Sequence, residues 1–104
     1  MDDSLNSNQL DRFFSNIIRR RNAVIERINF IGNTGYITIF SNELITLVVN
    51  RNTVIQDNRG RNISARSLRR GMVVDAVFSA MMTRSIPPQS RAYKITVVDG
   101  PIKS

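Results

Sequence analysis

The first patterned segment of the chain runs from Ser7 to about Arg21, where apolar residues recur three and four positions apart. The apolar positions are Leu10, Phe13, Phe14, Ile17 and Ile18. This spacing places them on one stripe of an amphipathic helix, with polar residues on the opposite face. Ser7 or Asn6 can cap the first turn by accepting a hydrogen bond from a backbone N–H group. The pattern therefore predicts an N-terminal amphipathic helix within residues 1–22.

The helix-like spacing continues beyond Asn22. It is carried on by Val24, Ile25, Ile28 and Ile31. However, residues 23–31 are rich in β-branched side chains, which favour strands. They also run directly into Gly32-Asn33-Thr34-Gly35, where glycine and asparagine tolerate the positive φ of a hairpin turn. We therefore expect the helix to end near Asn22 and a strand to cover Ala23–Ile31.

The rest of the chain shows strand-like patterns separated by turn signals. Strands are predicted at Tyr36–Ser41, Leu44–Asn50, Met72–Met82 and Ser90–Val98, and Thr53–Gln56 is expected to continue the third strand beyond a bend at Arg51-Asn52. In Met72–Met82 the even-numbered positions are apolar and the odd-numbered ones are mixed, which indicates a central strand. A short helix is expected at Ala65–Arg70, with Ser64 as its cap and Gly71 after its end.

The predicted order after the N-terminal helix is three strands, a short helix and two strands. This is the order of elements in an OB-fold, a five-stranded Greek-key barrel. Two stretches add a likeness: Thr53-Val54-Ile55 and Leu68-Arg69-Arg70-Gly71-Met72-Val73-Val74. The spacing of the Thr, Ile, Leu, Gly and Val residues in these stretches resembles that of small bacterial OB-like domains. The resemblance supports an OB-like β-barrel over residues 23–100, with a tail at 101–104, and it implies no particular activity.

The composition limits the chemistry that the chain can perform. Its 104 residues include no His and no Cys, which excludes an imidazole base, a thiol nucleophile, a disulfide and the usual kind of zinc site. The carboxylates are scattered, and no pair falls in a common loop. Asp75 stands out because it lies inside a predicted central strand, either facing outward or paired with an Arg or with Lys94. We therefore predict a protein that is not an enzyme and that uses no metal and no cofactor.

The formal net charge is +7, and all but two of the fifteen basic residues are arginines. Residues 51–71 concentrate this charge, since their arginines are opposed by Asp57 alone. Arginine neutralises phosphates and stacks on bases, so one hypothesis is single-stranded nucleic-acid binding across the ligand face of an OB barrel. The candidate residues are Arg51, Arg59, Arg61, Arg84 and Arg91, with Tyr36 and Phe40 as stacking platforms. The alternative interpretation is a solvated basic surface.

The connection between the last two predicted strands, residues 83–89, is a second candidate region. It contains Pro87-Pro88, which cannot join a β ladder. A loop stiffened by proline loses little entropy when it binds a partner. Arg84 and Arg91 lie beside its polar residues. We expect this loop either to form part of a binding site or to serve only as a rigid connection.

The sequence favours a non-enzymatic binding or interaction module. The first hypothesis is an interaction role for the N-terminal helix. Its apolar stripe packs on the chain's own barrel, or pairs with another copy or with a protein partner. The basic charge of this helix is confined to one end, which disfavours attachment to a membrane. The acidic start of the chain lacks the pattern of a secretory signal, so we expect a cytoplasmic protein. Single-stranded nucleic-acid binding is the alternative function.

Overall fold

The computed structural model describes residues 16–100, which form a mainly β domain. Its strands are β1 (Ile17–Ile31), β2 (Thr34–Ser41), β3 (Glu43–Val49), β4 (Val54–Gln56), β5 (Val73–Met82) and β6 (Gln89–Asp99). One turn of 3-10 helix, Ala65–Ser67, lies between β4 and β5. Every predicted strand is therefore present, with ends within a few residues of the prediction, except that β1 begins earlier than expected.

The strands form a ring of hydrogen-bonded neighbours. β1 pairs antiparallel with β2 on one side and with β5 on the other, and β2–β3 and β5–β6 are also antiparallel. The ring closes where β3 pairs in parallel with β6, through Thr46↔Gln89 and Val48↔Arg91. The short β4 adds to the same sheet by pairing in parallel with the C-terminal half of β6. This arrangement is compatible with a barrel-like fold.

The described part of the predicted N-terminal helix is strand, so the prediction is wrong there. Ile17 and Ile18 belong to β1, opposite Ser79 and Phe78 of β5. Their side chains point to opposite faces of a strand, and Ile18 packs against the core. Pairing with β5 supplies this segment with backbone hydrogen bonds that outweigh its helical spacing. The other members of the stripe, Leu10, Phe13 and Phe14, lie outside the described residues.

A β-bulge at Glu26 explains why the sequence of β1 looks helical. Ile25 faces Ile39 of β2, but Arg27 already faces Thr38, so Glu26 is an extra residue. The inward side of the strand therefore changes from odd to even positions. Ile25 is fully buried before the bulge, and Ile28 packs against the core after it. Two inward residues three positions apart imitate a helical repeat.

A second irregularity in β1 involves Asp75. The pairing of β1 with β5 shifts between Arg20 and Ala23, and Asn22 there has a φ of 56°. The backbone N–H of Asn22 donates a hydrogen bond of 2.9 Å to Oδ1 of Asp75. Asp75 makes no ion pair with any residue between 16 and 100 and alternates with the buried Val74 and Ala76, which agrees with the outward-facing alternative and not with pairing to an Arg or Lys94. Its carboxylate supports the backbone of the bulge.

The core fills the inside of the ring with aliphatic side chains and Phe78. Its fully buried members are Ala23, Ile25, Ile37, Ile39, Ile45, Leu47, Val49, Ile55, Leu68, Val74, Ala76, Phe78, Ala92 and Ile95. In β5 the predicted inward face is confirmed from Val74 to Phe78. Beyond Phe78 the pairing shifts, and the hydroxyl of buried Ser90 donates to the carbonyl of Ser79. No helix within residues 16–100 is long and apolar enough to cross a membrane.

The 3-10 helix is shorter than the helix that the sequence predicts, although its signals are correct. Ser64 is the cap, and its hydroxyl oxygen accepts a hydrogen bond from the backbone N–H of Arg66. Leu68 follows the single turn and is buried in the core. Gly71 has a φ of 90° and donates its N–H to the carbonyl of Ile25, at the bulge of β1. This contact positions the start of β5 beside β1.

Candidate functional site

The outer face of the ring carries a groove of about 430 Å³, here called the outer groove. Its floor is formed by β1, β2 and β3, and its rim by the loop that connects β5 to β6. It is lined by Arg27, Asn29, Ile31, Tyr36, Thr38, Thr46, Ser85, Ile86, Pro87 and Gln89. The lining contains no carboxylate. The adjoining groove shares Arg27, Thr38 and Pro87 with it and adds Glu26 and Arg70.

Four polar residues cross the floor of the outer groove in a straight row. Arg27 of β1 faces Thr38 of β2, Thr38 faces Thr46 of β3, and Thr46 faces Gln89 of β6. We call these residues the polar row. Directly opposed side chains on neighbouring strands lie about 5 Å apart at Cβ, so the four side chains form a continuous line of hydrogen-bonding groups. The register of four strands creates this line.

Aromatic side chains stand on both sides of the polar row. Tyr36 precedes Thr38 on β2 by two residues, and Phe40 follows it by two, so all three project from the same face. Tyr36 is half-buried in the groove, whereas 47% of Phe40 is exposed. Each ring is displaced from the row by about 7 Å along the strand. Tyr36 therefore lines the outer groove itself, and Phe40 lies on the same face of β2, beyond the polar row and outside the lining of the groove.

The loop between β5 and β6 covers one side of the outer groove. Thr83 and Gln89 close its base, because each backbone N–H donates to an oxygen of the other residue, at 3.0 and 2.9 Å. The carbonyl of Pro88 accepts a hydrogen bond from the N–H of Thr46, which attaches the loop to β3. The Ile86–Pro87 peptide bond is cis. At the tip, 98% of Ile86 is exposed. The loop thus forms a wall of the groove, as one of the two interpretations of its sequence requires.

The arginines predicted as one binding surface lie in different places. Arg84 is in the loop beside the groove, and Arg91 is on β6, with its guanidinium carbon 5.8 Å from the centre of the Tyr93 ring. Arg59 and Arg61 belong to the turn after β4, whose last residue pairs with Thr96. Seven residues of β6 separate Thr96 from the loop at Gln89, a distance of roughly 23 Å. Arg59 and Arg61 are therefore far along the sheet from the loop that carries Arg84.

Arg51 lies at a different cavity. That cavity is at the end of the ring and is also lined by Phe30, Asn33, Ile63 and Arg66. The guanidinium of Arg66 stacks on Phe30 and donates to the carbonyl of Gly32. Arg69 likewise donates to the carbonyls of Arg66 and Leu68. These contacts hold local structure together, which is why a cluster of arginines in the sequence does not become a cluster on the surface.

The side chains of Asp57 and Arg61 form an ion pair in the turn after β4. Its Oδ1 accepts hydrogen bonds from the backbone N–H groups of Arg59 and Arg61, and its Oδ2 accepts one of 2.9 Å from Nε of Arg61. The backbone bond from Arg61 is the largest influence that lowers the pKa of Asp57, with smaller contributions from the Arg59 backbone and the Arg61 side chain. This confirms the predicted turn at residues 57–60. Arg61 therefore has a structural role in this turn, although 71% of its side chain is exposed.

No protein-family model matches the sequence, and no curated protein is similar enough to count as a relative. The candidate site therefore stands on its geometry.

The sequence did not mark any of the four members of the polar row as a site residue, although Ile86 and Gln89 fall within the loop that it identified as a candidate region. Arg27 was hidden because its stretch of chain has little net charge, with Glu26 and Glu43 nearby in sequence. Thr38, Thr46 and Gln89 carry no signal when the strands are considered separately. Only the alternation of Tyr36, Thr38 and Phe40 along β2 marks them as one outward face. Register across β1, β2, β3 and β6 is needed to bring the row together.

Proposed function

We propose that this chain is a non-enzymatic binding module of the OB type, and that single-stranded nucleic acid is the ligand of its outer groove. The pairing order of the strands supports the OB assignment, because the ring runs β1, β2, β3, β6, β5 and back to β1. The helical turn between the third and fourth long strands agrees with it. OB-folds bind oligonucleotides on the face of strands two and three, beside the loop between the last two strands. The outer groove occupies that place.

The observation that carries the proposal is the polar row with an aromatic ring on either side. A single strand of nucleic acid presents charged phosphates along its backbone and flat bases that need a stacking surface. Arg27 supplies a cation, and Thr38 and Gln89 supply neutral donors. Tyr36 and Phe40 supply rings on which bases can stack, an interaction that tolerates any sequence. We therefore expect binding with little sequence preference.

The test is fluorescence anisotropy with labelled single strands of about 12 nucleotides, of both DNA and RNA. Binding through about three phosphate contacts gives a slope of about −2 for log affinity against log salt. A titration at about 50 mM and about 200 mM salt measures that slope. If the wild-type chain binds no single strand at the lower salt concentration, the proposal is wrong.

Two variants separate the outer groove from general positive charge. Arg27→Gln removes the cation of the polar row and is expected to weaken binding by about 3- to 10-fold. Arg59→Gln is the matched control, since it makes the same change of charge on the turn after β4, outside the lining of the outer groove. Its effect should stay within about 2-fold. Equal losses of affinity in both variants would mean that the ligand responds to the net positive charge of the domain and does not bind at the outer groove in particular.

A second candidate function is assembly with another copy of the chain, and one apolar surface favours it. Val73, Val24, Phe40 and Leu44 are directly opposed across β5, β1, β2 and β3. Phe40 and Leu44 are each more than two-fifths exposed. Sedimentation of the wild type and of Phe40→Glu tests this function, with a larger mass expected for the wild type.

A deletion that tests the predicted helix should end at residue 15, because β1 begins at Ile17.

A further inference from the structure

The hydroxyl groups of Thr38 and Thr46 form an isolated pair on the floor of the outer groove. Their Oγ1 atoms lie 2.8 Å apart, and the side chains belong to residues that are only 8% and 7% exposed. Each hydroxyl carries one proton, and a single hydrogen bond between the two oxygens uses one proton. Within residues 16–100 neither hydroxyl makes another hydrogen bond. One proton of the pair is therefore left without an acceptor in the protein.

A nearly buried O–H group without an acceptor is unfavourable, and such groups are almost always satisfied. Both threonines line the outer groove, so the acceptor for the remaining proton must come from what fills the groove. Water serves in the free protein. A ligand oxygen that replaced this water would accept the same hydrogen bond from the pair. The pair is thus a preformed donor at the centre of the polar row.

The neighbours of the pair point to an oxygen that carries negative charge. Arg27 lies directly beside Thr38 in the row, and it makes no ion pair with any residue between 16 and 100. On the other side, Gln89 lies beside Thr46, and its side-chain amide adds two more donors. Glu26 is the nearby carboxylate, in the adjoining groove, where Arg27 and Arg70 outnumber it. A cation and several neutral donors therefore lie along one line of the groove floor.

We propose that Arg27, Thr38, Thr46 and Gln89 form a subsite for one phosphodiester group of the bound strand. This inference rests on the proposed function and assigns the phosphate to the row and the bases to the rings beside it. Tyr36 and Phe40 lie about 7 Å from the row on opposite sides, so bases that flank the bound phosphate can each meet a ring. An acidic peptide offers charge without flat bases, which leaves these rings unused.

The decisive variants are Thr38→Val, Thr46→Val and the two together. Valine has nearly the shape of threonine and no proton to donate, and it suits a strand. Each single variant keeps one hydroxyl whose proton no longer has an acceptor in the protein, so affinity should fall by no more than about 2-fold. The double variant has no hydroxyl and should bind about 10-fold more weakly. Thr34→Val, on the same face of β2 but outside the row, should bind like the wild type.

A chemical probe identifies the atom that accepts the bond. Oligonucleotides with one uncharged methylphosphonate linkage, placed at each position in turn, should reveal a position that weakens wild-type binding. The double variant should lose less affinity than the wild type from that same substitution. Thermal unfolding of every variant establishes that the fold is intact before binding is compared.

Three results would overturn the subsite. The double variant binds single strands as tightly as the wild type, or it shows the same methylphosphonate losses as the wild type. The third is an acidic peptide that binds as tightly as the oligonucleotide and is equally weakened in the double variant. All three are observed on a chain that binds a strand, whereas failure of the proposed function means that the wild type binds none.

Discussion

The guanidinium carbon of Arg66 lies 4.4 Å from the centre of the Phe30 ring, and its Nη2 donates a hydrogen bond of 2.9 Å to the carbonyl of Gly32. Arg66 is in the 3-10 helix, and both of its partners belong to the β1–β2 hairpin. One side chain therefore joins the tip of the hairpin to the helical turn that is far away in the sequence. The contact is structural, although the residue belongs to the most basic segment of the chain.

Arg66→Ala should destabilise the domain by about 1–2 kcal/mol, because it removes a cation–π contact and a charged hydrogen bond. Urea unfolding measures the change. Arg59→Ala provides the control, since the Arg59 side chain makes no hydrogen bond or ion pair with the rest of residues 16–100. Equal stability of the two variants would show that the contact with Phe30 contributes nothing.

Gly35→Ala should also destabilise the domain, through the other side of the same ring. A Cβ atom at Gly35 would lie 2.8 Å from Cε1 of Phe30, closer than atoms tolerate, so the ring must move away. The expected cost is about 1–2 kcal/mol. In the Arg66→Ala background the ring is freer and the cost should fall, which a double-mutant cycle measures. Gly100→Ala, where a Cβ meets nothing within 4 Å, should have little effect.

Asp57 should make the stability of the domain depend on pH in the acidic range. Its pKa is lowered in the folded chain, chiefly by the backbone N–H of Arg61. The stabilising contribution is therefore complete above the ordinary carboxyl pKa of 3.8, and it is lost as the pH falls through the lower pKa of the folded state. Thermal unfolding of the wild type and Asp57→Asn should show a difference at neutral pH that shrinks in acid. Glu26→Gln, which removes a carboxylate outside any ion pair within residues 16–100, controls for charge.

Ile86 should matter for binding and not for stability. Its side chain is almost wholly exposed at the rim of the outer groove, so Ile86→Ser should change the free energy of unfolding by less than about 0.5 kcal/mol. If a base packs against it, the loss of apolar contact should weaken oligonucleotide binding by about 3- to 5-fold. Met81→Ser removes another highly exposed apolar side chain, outside this groove, and should leave the affinity unchanged. An Ile86→Ser variant with wild-type affinity would place the ligand away from the loop.

Local chemistry made the connections of this fold predictable. Gly32 has the positive φ that its hairpin turn requires, and Asp57 accepts the backbone hydrogen bonds expected of an Asp at the start of a turn. Ser64 caps the 3-10 helix as predicted. In each case the residues that decide the conformation are neighbours in the sequence. The extra residue at Glu26 has no such local signal, and it gave residues 24–31 of β1 a helix-like spacing.

The candidate site could not be predicted in the same way. The polar row takes one residue from each of four strands, and a shift of one position in any register would turn a member to the other face. The charge of residues 51–71 suggested a site on that segment. Charge density in the sequence shows where arginines are frequent along the chain and not which of them lie together in the fold. Arg61 and Arg66 are used by a turn and a hairpin, whereas Arg27 lies alone among neutral neighbours in the groove. The sequence identified Tyr36, Phe40 and the loop of residues 83–89 as parts of this surface, but not the polar row between them.

The pairing of β3 with β6 has a consequence for synthesis. Thr46 and Gln89 meet across the ring, and Ile17 meets Ser79, so no stretch of the first eighty residues can close it. While the chain emerges from the ribosome, the β1–β3 meander has an apolar face without a core and an edge without a partner, a state that invites aggregation. Contacts between residues so distant in sequence also make folding slow, in the range of milliseconds to seconds. The ring of strands therefore closes only after β6 has been made.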